Sequence, residues 1–169
     1  VSNARILRFT REGDLLVANP SLDRVLILGR DANGDGKADS SSVLIDALNG
    51  PNGLDFFEDW LYIAETNAIG RIKFDHETGE VRGDYERIVQ GLPGGGNHWK
   101  KTLRFGPDNL MYVAMGSSCN VCVEEDERRA AMIRYQPDGS GEQIFARGMR
   151  NSAGFDWSPA DGHIYATDN

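Results

Sequence analysis

The sequence predicts an all-β fold: a β-propeller, with about three blades and the start of a fourth among its 169 residues. Three observations carry this expectation. One pattern recurs four times, β-type runs fill the spaces between its copies, and twenty glycines are spread along the chain as in a turn-rich β protein.

The recurring pattern is a short apolar-aromatic run, a turn, and a second apolar run ending in alanine. Its copies are "ILRFTREGDLLVAN" (6–19), "GLDFFEDWLYIAET" (53–66), "LRFGPDNLMYVAMG" (103–116) and "GFDWSPADGHIYATDN" (154–169). The turns carry Gly13, Asp59, Pro107-Asp108 and Asp161-Gly162, which is hairpin chemistry. Aligned on Ala18, Ala64, Ala114 and Ala166, the copies lie 46, 50 and 52 residues apart, the spacing of propeller blades. Between them stand "RVLILGR" (24–30), "SVLIDAL" (42–48), "GRIKFD" (70–75), "YERIVQGL" (85–92), "AMIRYQ" (131–136) and "EQIFARGM" (142–149). Each repeat thus supplies about four short strands, one blade. Three blades and part of a fourth do not close a ring. Residues 1–169 therefore read as a partial propeller domain, the N-terminal half of a larger propeller whose other half is required.

Composition limits the partners. A net charge of -8 argues against nucleic acid and against an anionic membrane surface. No apolar run approaches the ~20 residues that span a bilayer. The chain starts at Val1 with no signal-like segment, so a targeting sequence is expected to be absent or removed. A small-molecule partner is the expectation that remains.

"DANGDGKAD" (31–39) is a candidate calcium loop. Asp31, Asn33, Asp35 and Asp39 place side-chain oxygens at positions 1, 3, 5 and 9, and the Lys37 carbonyl would supply position 7. Position 12 is Ser42 instead of the glutamate of an EF-hand, and the flanks read as strands. A structural Ca²⁺ site joining two propeller strands is expected, against a metal-free Asp/Gly hairpin.

Cys119 and Cys122 form "CNVC". No βαβ pattern accompanies it and no second ligand pair suits zinc. A short-loop disulfide in an exported protein is favoured over free thiols, which places the protein in the periplasm or outside the cell. Among the histidines, His76 sits in a polar hairpin and His163 at the start of an exposed strand, and both read as solvated. His98 follows Gly94-Gly95-Gly96, a backbone that lets a ligand come close. From the residues alone it is either a base or a packing and capping residue.

"GPNGL", "WLYIAETN", "LPGGGNHWKKTLRFGPD", "MYVAMGSSCNVC", "RRAAMIRYQPDGSGEQIFARGMRNSAGFDW" and "YATDN" occur in order from about residue 45 to the end. In these stretches the chain resembles the PQQ-dependent soluble aldose dehydrogenases, especially the L-sorbosone dehydrogenase-like branch. The resemblance implies a six-bladed propeller, PQQ and Ca²⁺ as cofactors, a sugar substrate, and an external electron acceptor whose nature it leaves open. It further implies that His98 is the general base and that Arg150 polarises a quinone oxygen, a task suited to a permanently charged guanidinium. Asn151 would contact the cofactor, and Asn52 would lie near the pocket. Where glucose-oxidising relatives hold the histidine with an aspartate, this chain has Ser117. The family's carboxylate-gripping cations and the carbonyls for the cofactor's own calcium fall in later blades. The 169-residue chain is accordingly expected to be inactive alone. Two rival readings stand beside this one. The first is a non-catalytic propeller binding sugar or protein; the second is a metal-dependent lactonase, to which Glu65, Asn67 and Asp168 could contribute ligands.

Overall fold

A computed structural model describes residues 3–169. It is all-β, with one 3-10 turn at Pro20–Leu22. The first sheet holds β1 (Leu7–Phe9), β2 (Leu15–Asn19), β3 (Arg24–Leu28) and β4 (Ser41–Ile45). The second holds β5 (Gly53–Phe57), β6 (Trp60–Ala64), β7 (Ala68–Asp75) and β8 (Glu80–Gln90). The third holds β9 (Lys101–Phe105), β10 (Met111–Met115), β11 (Ala131–Tyr135) and β12 (Gln143–Arg147), and β13 (Phe155–Trp157) pairs with β14 (Ile164–Ala166). Every sheet is an antiparallel meander in chain order, the form of a propeller blade. The expected three blades and the start of a fourth are present. No helix among the described residues is long and apolar enough to cross a membrane.

Period-2 alternation explains how the blades stack. Along β6, Leu61 and Ile63 pack towards the first blade with Leu16, Ala18 and Val25, while Tyr62 and Ala64 pack towards the third with Val113 and Ile133. Along β10, Met111, Val113 and Met115 face the second blade, whereas Tyr112 and Ala114 meet Phe155 and Trp157 of the fourth sheet. Both faces of a middle strand are therefore buried, which is why these runs are almost continuously apolar. Ala18, Ala64 and Ala114 are buried, one in each of these interfaces. Ala166, in the two-stranded sheet, is exposed.

The first strands of the sheets lie side by side, β1 by β5, β5 by β9 and β9 by β13, and line the inner edge of the arc. Asp55 on β5 ties three blades together there. It takes the Arg8 guanidinium from β1, accepts the Phe105 amide at 2.8 Å, and has the Arg104 Nε at 3.6 Å from β9. His76 differs from its solvated reading. Its ring packs on Phe56 and Phe74, at centroid distances of 4.9 and 5.2 Å, because the β7 to β8 turn folds back over the β5–β6 hairpin. His163 is exposed and pairs with Asp161 at 3.3 Å.

Candidate functional site

Strand parity sorts the connections into two ends. The β4–β5, β6–β7, β8–β9, β10–β11 and β12–β13 loops all leave at one end, and these carry the candidates His98, Arg150 and Asn151. The 94–98 segment runs along the exit from β10. Asn97 N donates to Ser118 O at 2.8 Å, and His98 N donates to Ser117 O at 3.2 Å. On the other side of the same exit, Ser117 N donates to Arg150 O at 2.8 Å. The approach is close enough to require glycine at position 116. A Cβ there would lie 2.4 Å from the His98 Cβ, 2.6 Å from the His98 carbonyl and 3.2 Å from the Arg150 carbonyl. Residues 98 and 150, far apart in sequence, thus meet across Gly116 and Ser117.

The groups around the pair are polar. Arg150 N and Asn151 N donate to the two carboxylate oxygens of Asp168, at 3.2 and 2.8 Å. These amides, the Asn151 one foremost, hold the Asp168 carboxyl below the usual carboxylate range. The Arg150 Nε donates to the Asn169 carbonyl. Beside Asn151, the hydroxyl of Ser152 is buried without a hydrogen-bond partner, an orphaned group at the edge of the site. His98 Nε2 stands 3.2 Å from Asn120 Oδ1. With the proton on Nε2 the imidazole donates to that amide oxygen, which leaves Nδ1 as the proton acceptor. Ser117 does not replace the expected aspartate, since its hydroxyl donates to Cys119 O at 2.5 Å. Asn120 makes the contact with the imidazole, and it sits between Cys119 and Cys122, which are disulfide-bonded.

Asn52 is placed elsewhere. It is 2% exposed, its amide nitrogen donates to Gly50 O at 2.6 Å, and its oxygen accepts Lys101 N at 2.5 Å. It staples the 50–52 turn to β9 beneath the site. Lys101 was not legible as a site neighbour. It is 1% exposed, and its ammonium donates to the carbonyls of Thr66, Pro93 and Trp99.

The 31–39 loop joins β3 to β4 at the opposite end of the blade, beside the β1–β2 turn, where Arg30 N donates to Asp14 Oδ1 at 2.9 Å. Asp31 accepts the amides of Gly34, Asp35 and Gly36, Asp35 accepts that of Lys37, and Asp39 accepts that of Ala32. The carboxylates turn to the loop's own backbone and are not gathered on one point, while the oxygen set keeps the hard-donor chemistry that calcium takes. Glu65 is unsuited to a metal. It is wholly buried and already accepts Arg87 Nε at 2.8 Å, Arg87 Nη2 at 3.0 Å, Tyr85 OH at 3.0 Å and Asn49 N at 2.6 Å. The sulfurs of Cys119 and Cys122 lie near the Glu124 carboxylate, but the disulfide removes them as metal ligands.

A family described as a domain of unknown function, DUF7133, matches residues 9–169. The chain belongs to the DUF7133 family. A curated relative, an uncharacterized protein of Borreliella burgdorferi, is 29% identical over 132 residues, which is 72% of this chain and 35% of that protein. Among solved structures, the holo PQQ domain of pyranose dehydrogenase from Coprinopsis cinerea superposes on 100% of the DUF7133 chain and 44% of its own, with a TM-score of 0.86 at 21% identity. The PQQ-bound aldose sugar dehydrogenase of Streptomyces coelicolor matches 99% of this chain and 57% of its own, with a TM-score of 0.75 at 21% identity. At 21% identity, these two superpositions establish the shared fold alone. The chain spans 35% to 57% of the length of these three proteins.

Proposed function

We propose that the chain forms the base-bearing part of a quinoprotein sugar dehydrogenase, within a larger, six-bladed propeller. The observation that carries this reading is that the backbones of His98 and Arg150 come together across Gly116 and Ser117, which brings a base and a cation to one rim. The superposition on two PQQ-bound dehydrogenase structures favours it.

Bound PQQ would supply a two-electron acceptor for the hydride of a sugar carbinol. The chain's own residues do the rest. His98 takes the proton of the sugar hydroxyl at Nδ1, with Nε2 held by Asn120. Arg150, whose backbone is fixed by Asp168, would hold the cofactor's polar oxygens with a permanent positive charge. Asn151 and the unpartnered Ser152 hydroxyl are donors suited to a polar carbonyl-rich ligand. The 94–98 backbone, bare of side chains at its glycines, lets a sugar come against it. Calcium in the 31–39 loop acts structurally, since that loop lies at the far end of the blade. The Cys119–Cys122 bond fits an exported or periplasmic protein. The rest of the propeller is needed for activity, and the electron acceptor is external. The lactonase reading loses its best ligand, because Glu65 is committed to Arg87 and Tyr85.

The test is dye-linked aldose oxidation by the full-length protein supplied with PQQ and Ca²⁺, compared with His98→Ala. Cofactor-dependent turnover that falls by ~10²-fold or more in the variant is the expected result. No turnover across a broad panel of sugars would overturn the reading and leave a binding propeller.

A further inference from the structure

We propose that Lys101 is a positioning residue: its ammonium fixes the segment that carries His98, by holding carbonyls on both sides of that histidine to the end of β6. Its meaning for catalysis rests on the dehydrogenase reading above, whereas the position itself does not.

The 91–99 segment has a physical problem. Gly94, Gly95 and Gly96 carry no side chains to pack, and glycine loses more conformational freedom on ordering than any other residue. Carbonyls are the main handles that such a stretch offers. Cations meet five of them. Arg128 donates to Gly91 O at 3.0 Å, Arg129 donates to Gly94 O at 2.5 Å and to Gly95 O at 3.3 Å, and Lys101 takes Pro93 O at 3.0 Å and Trp99 O at 3.1 Å. Lys101 alone spans His98, with Pro93 before it and Trp99 directly after. Its third donor goes to Thr66 O, just past β6 in the neighbouring blade. The three donors of an ammonium are thereby matched by three acceptors.

Stability alone is a poor reason for this group. A buried charge without a carboxylate costs free energy, and a buried apolar side chain of similar size would fill the space. The charged groups acting on Lys101 are Arg129 and Arg128, and both repel it. The neighbours from the other elements, Asn52, Thr66, Pro93 and Trp99, are uncharged, and Glu65 is turned to Arg87 and Tyr85. Burial first, then the two arginines, lower the lysine pKa to about 8, so the ammonium persists at neutral pH.

The test is amide hydrogen exchange in the full-length protein, read on peptides covering 93–100, where Asn97 and His98 donate to Ser118 and Ser117. Lys101→Met is expected to speed exchange at these amides roughly ten- to hundredfold at pH 7, the loss of hydrogen bonds from a charged donor, with β9–β11 unchanged. Unchanged exchange, or a rise spread evenly through the blade, overturns the proposal. The wild-type protein supplies a second readout that needs no variant. With the segment fixed by the ammonium, the Asn97 and His98 amides should exchange within about tenfold of the β9 amides. Faster exchange at those two amides overturns the proposal, whether or not the variant folds. Exchange is read independently of turnover, so a protein that oxidises no sugar sinks the dehydrogenase reading without deciding this one.

Discussion

Gly116→Ala tests whether His98 and Arg150 owe their meeting to a missing side chain. The added Cβ would sit 2.4 Å from the His98 Cβ and 2.6 Å from its carbonyl oxygen. Non-bonded carbons rest at about 3.5–4.0 Å, so the His98 backbone must retreat by roughly 1 Å. That movement stretches the 3.2 Å bond from His98 N to Ser117 O and loads the 2.8 Å bond from Ser117 N to Arg150 O. Overpacking of this kind costs about 1–3 kcal/mol, which lowers the Tm of a domain of this size by roughly 2–12 °C. A displacement of ~1 Å at a base costs ~10²-fold in rate. Gly95→Ala is the control. Its φ of +71° strains an alanine, but nothing lies within 4 Å of the new Cβ. It should lose stability without that steric displacement of His98. The assay is thermal unfolding together with hydrogen exchange at 97–98 in the full-length protein, with sugar oxidation as a third reading. Wild-type exchange and turnover in Gly116→Ala would show that the missing side chain at 116 does not set the place of His98.

Glu65→Gln should cost about 2 kcal/mol, below the ~3–5 kcal/mol of a fully buried pair because Arg87 can turn to water. Chemical denaturation checks this, and no change in midpoint would show that the Glu65 cluster adds nothing. Calcium at a hundredfold excess over its Kd should stabilise the protein by about 2.7 kcal/mol, and Asp31→Asn should abolish that gain. An unchanged Tm with calcium would make 31–39 a plain hairpin. Asp126 is lowered to about 2 by its hydrogen bond from the Arg128 side chain. Its contribution is present above the ordinary aspartate value of ~3.9 and is lost as pH falls through about 2. In acid unfolding, Asp126→Asn should show a smaller fall in stability across that window than the wild type, and an identical fall would contradict the assignment.

The blades were legible because their signal is local. A strand buried on both faces must be apolar throughout, as "WLYIA" and "MYVAM" are, and the turn residues between such strands fix the hairpins. Strand bounds shifted by a few residues at most, the largest change being β8, which starts at Glu80 where the apolar pattern begins only at Tyr85. The site was legible in part. His98 stands out by its place after three glycines and Arg150 only through the resemblance, while their approach depends on Gly116, whose role appears only once three loops are brought together. Lys101 was hidden because strand alternation makes one of the tandem Lys100-Lys101 point inwards, and nothing in the two letters says which. Asn120 was hidden because a polar residue in a cysteine loop has no periodicity to read. Asn52 shows the opposite error of scale. The resemblance put its motif near the pocket, but its amide is spent on Gly50 and Lys101.

The most direct measurement of the central claim is a calorimetric titration of PQQ into the calcium-loaded full-length protein, beside Arg150→Ala. One cofactor should bind per chain, with at least tenfold weaker binding in the variant from the loss of a charge-assisted contact. Absence of PQQ binding by the wild type, or binding indifferent to Arg150, would contradict the claim.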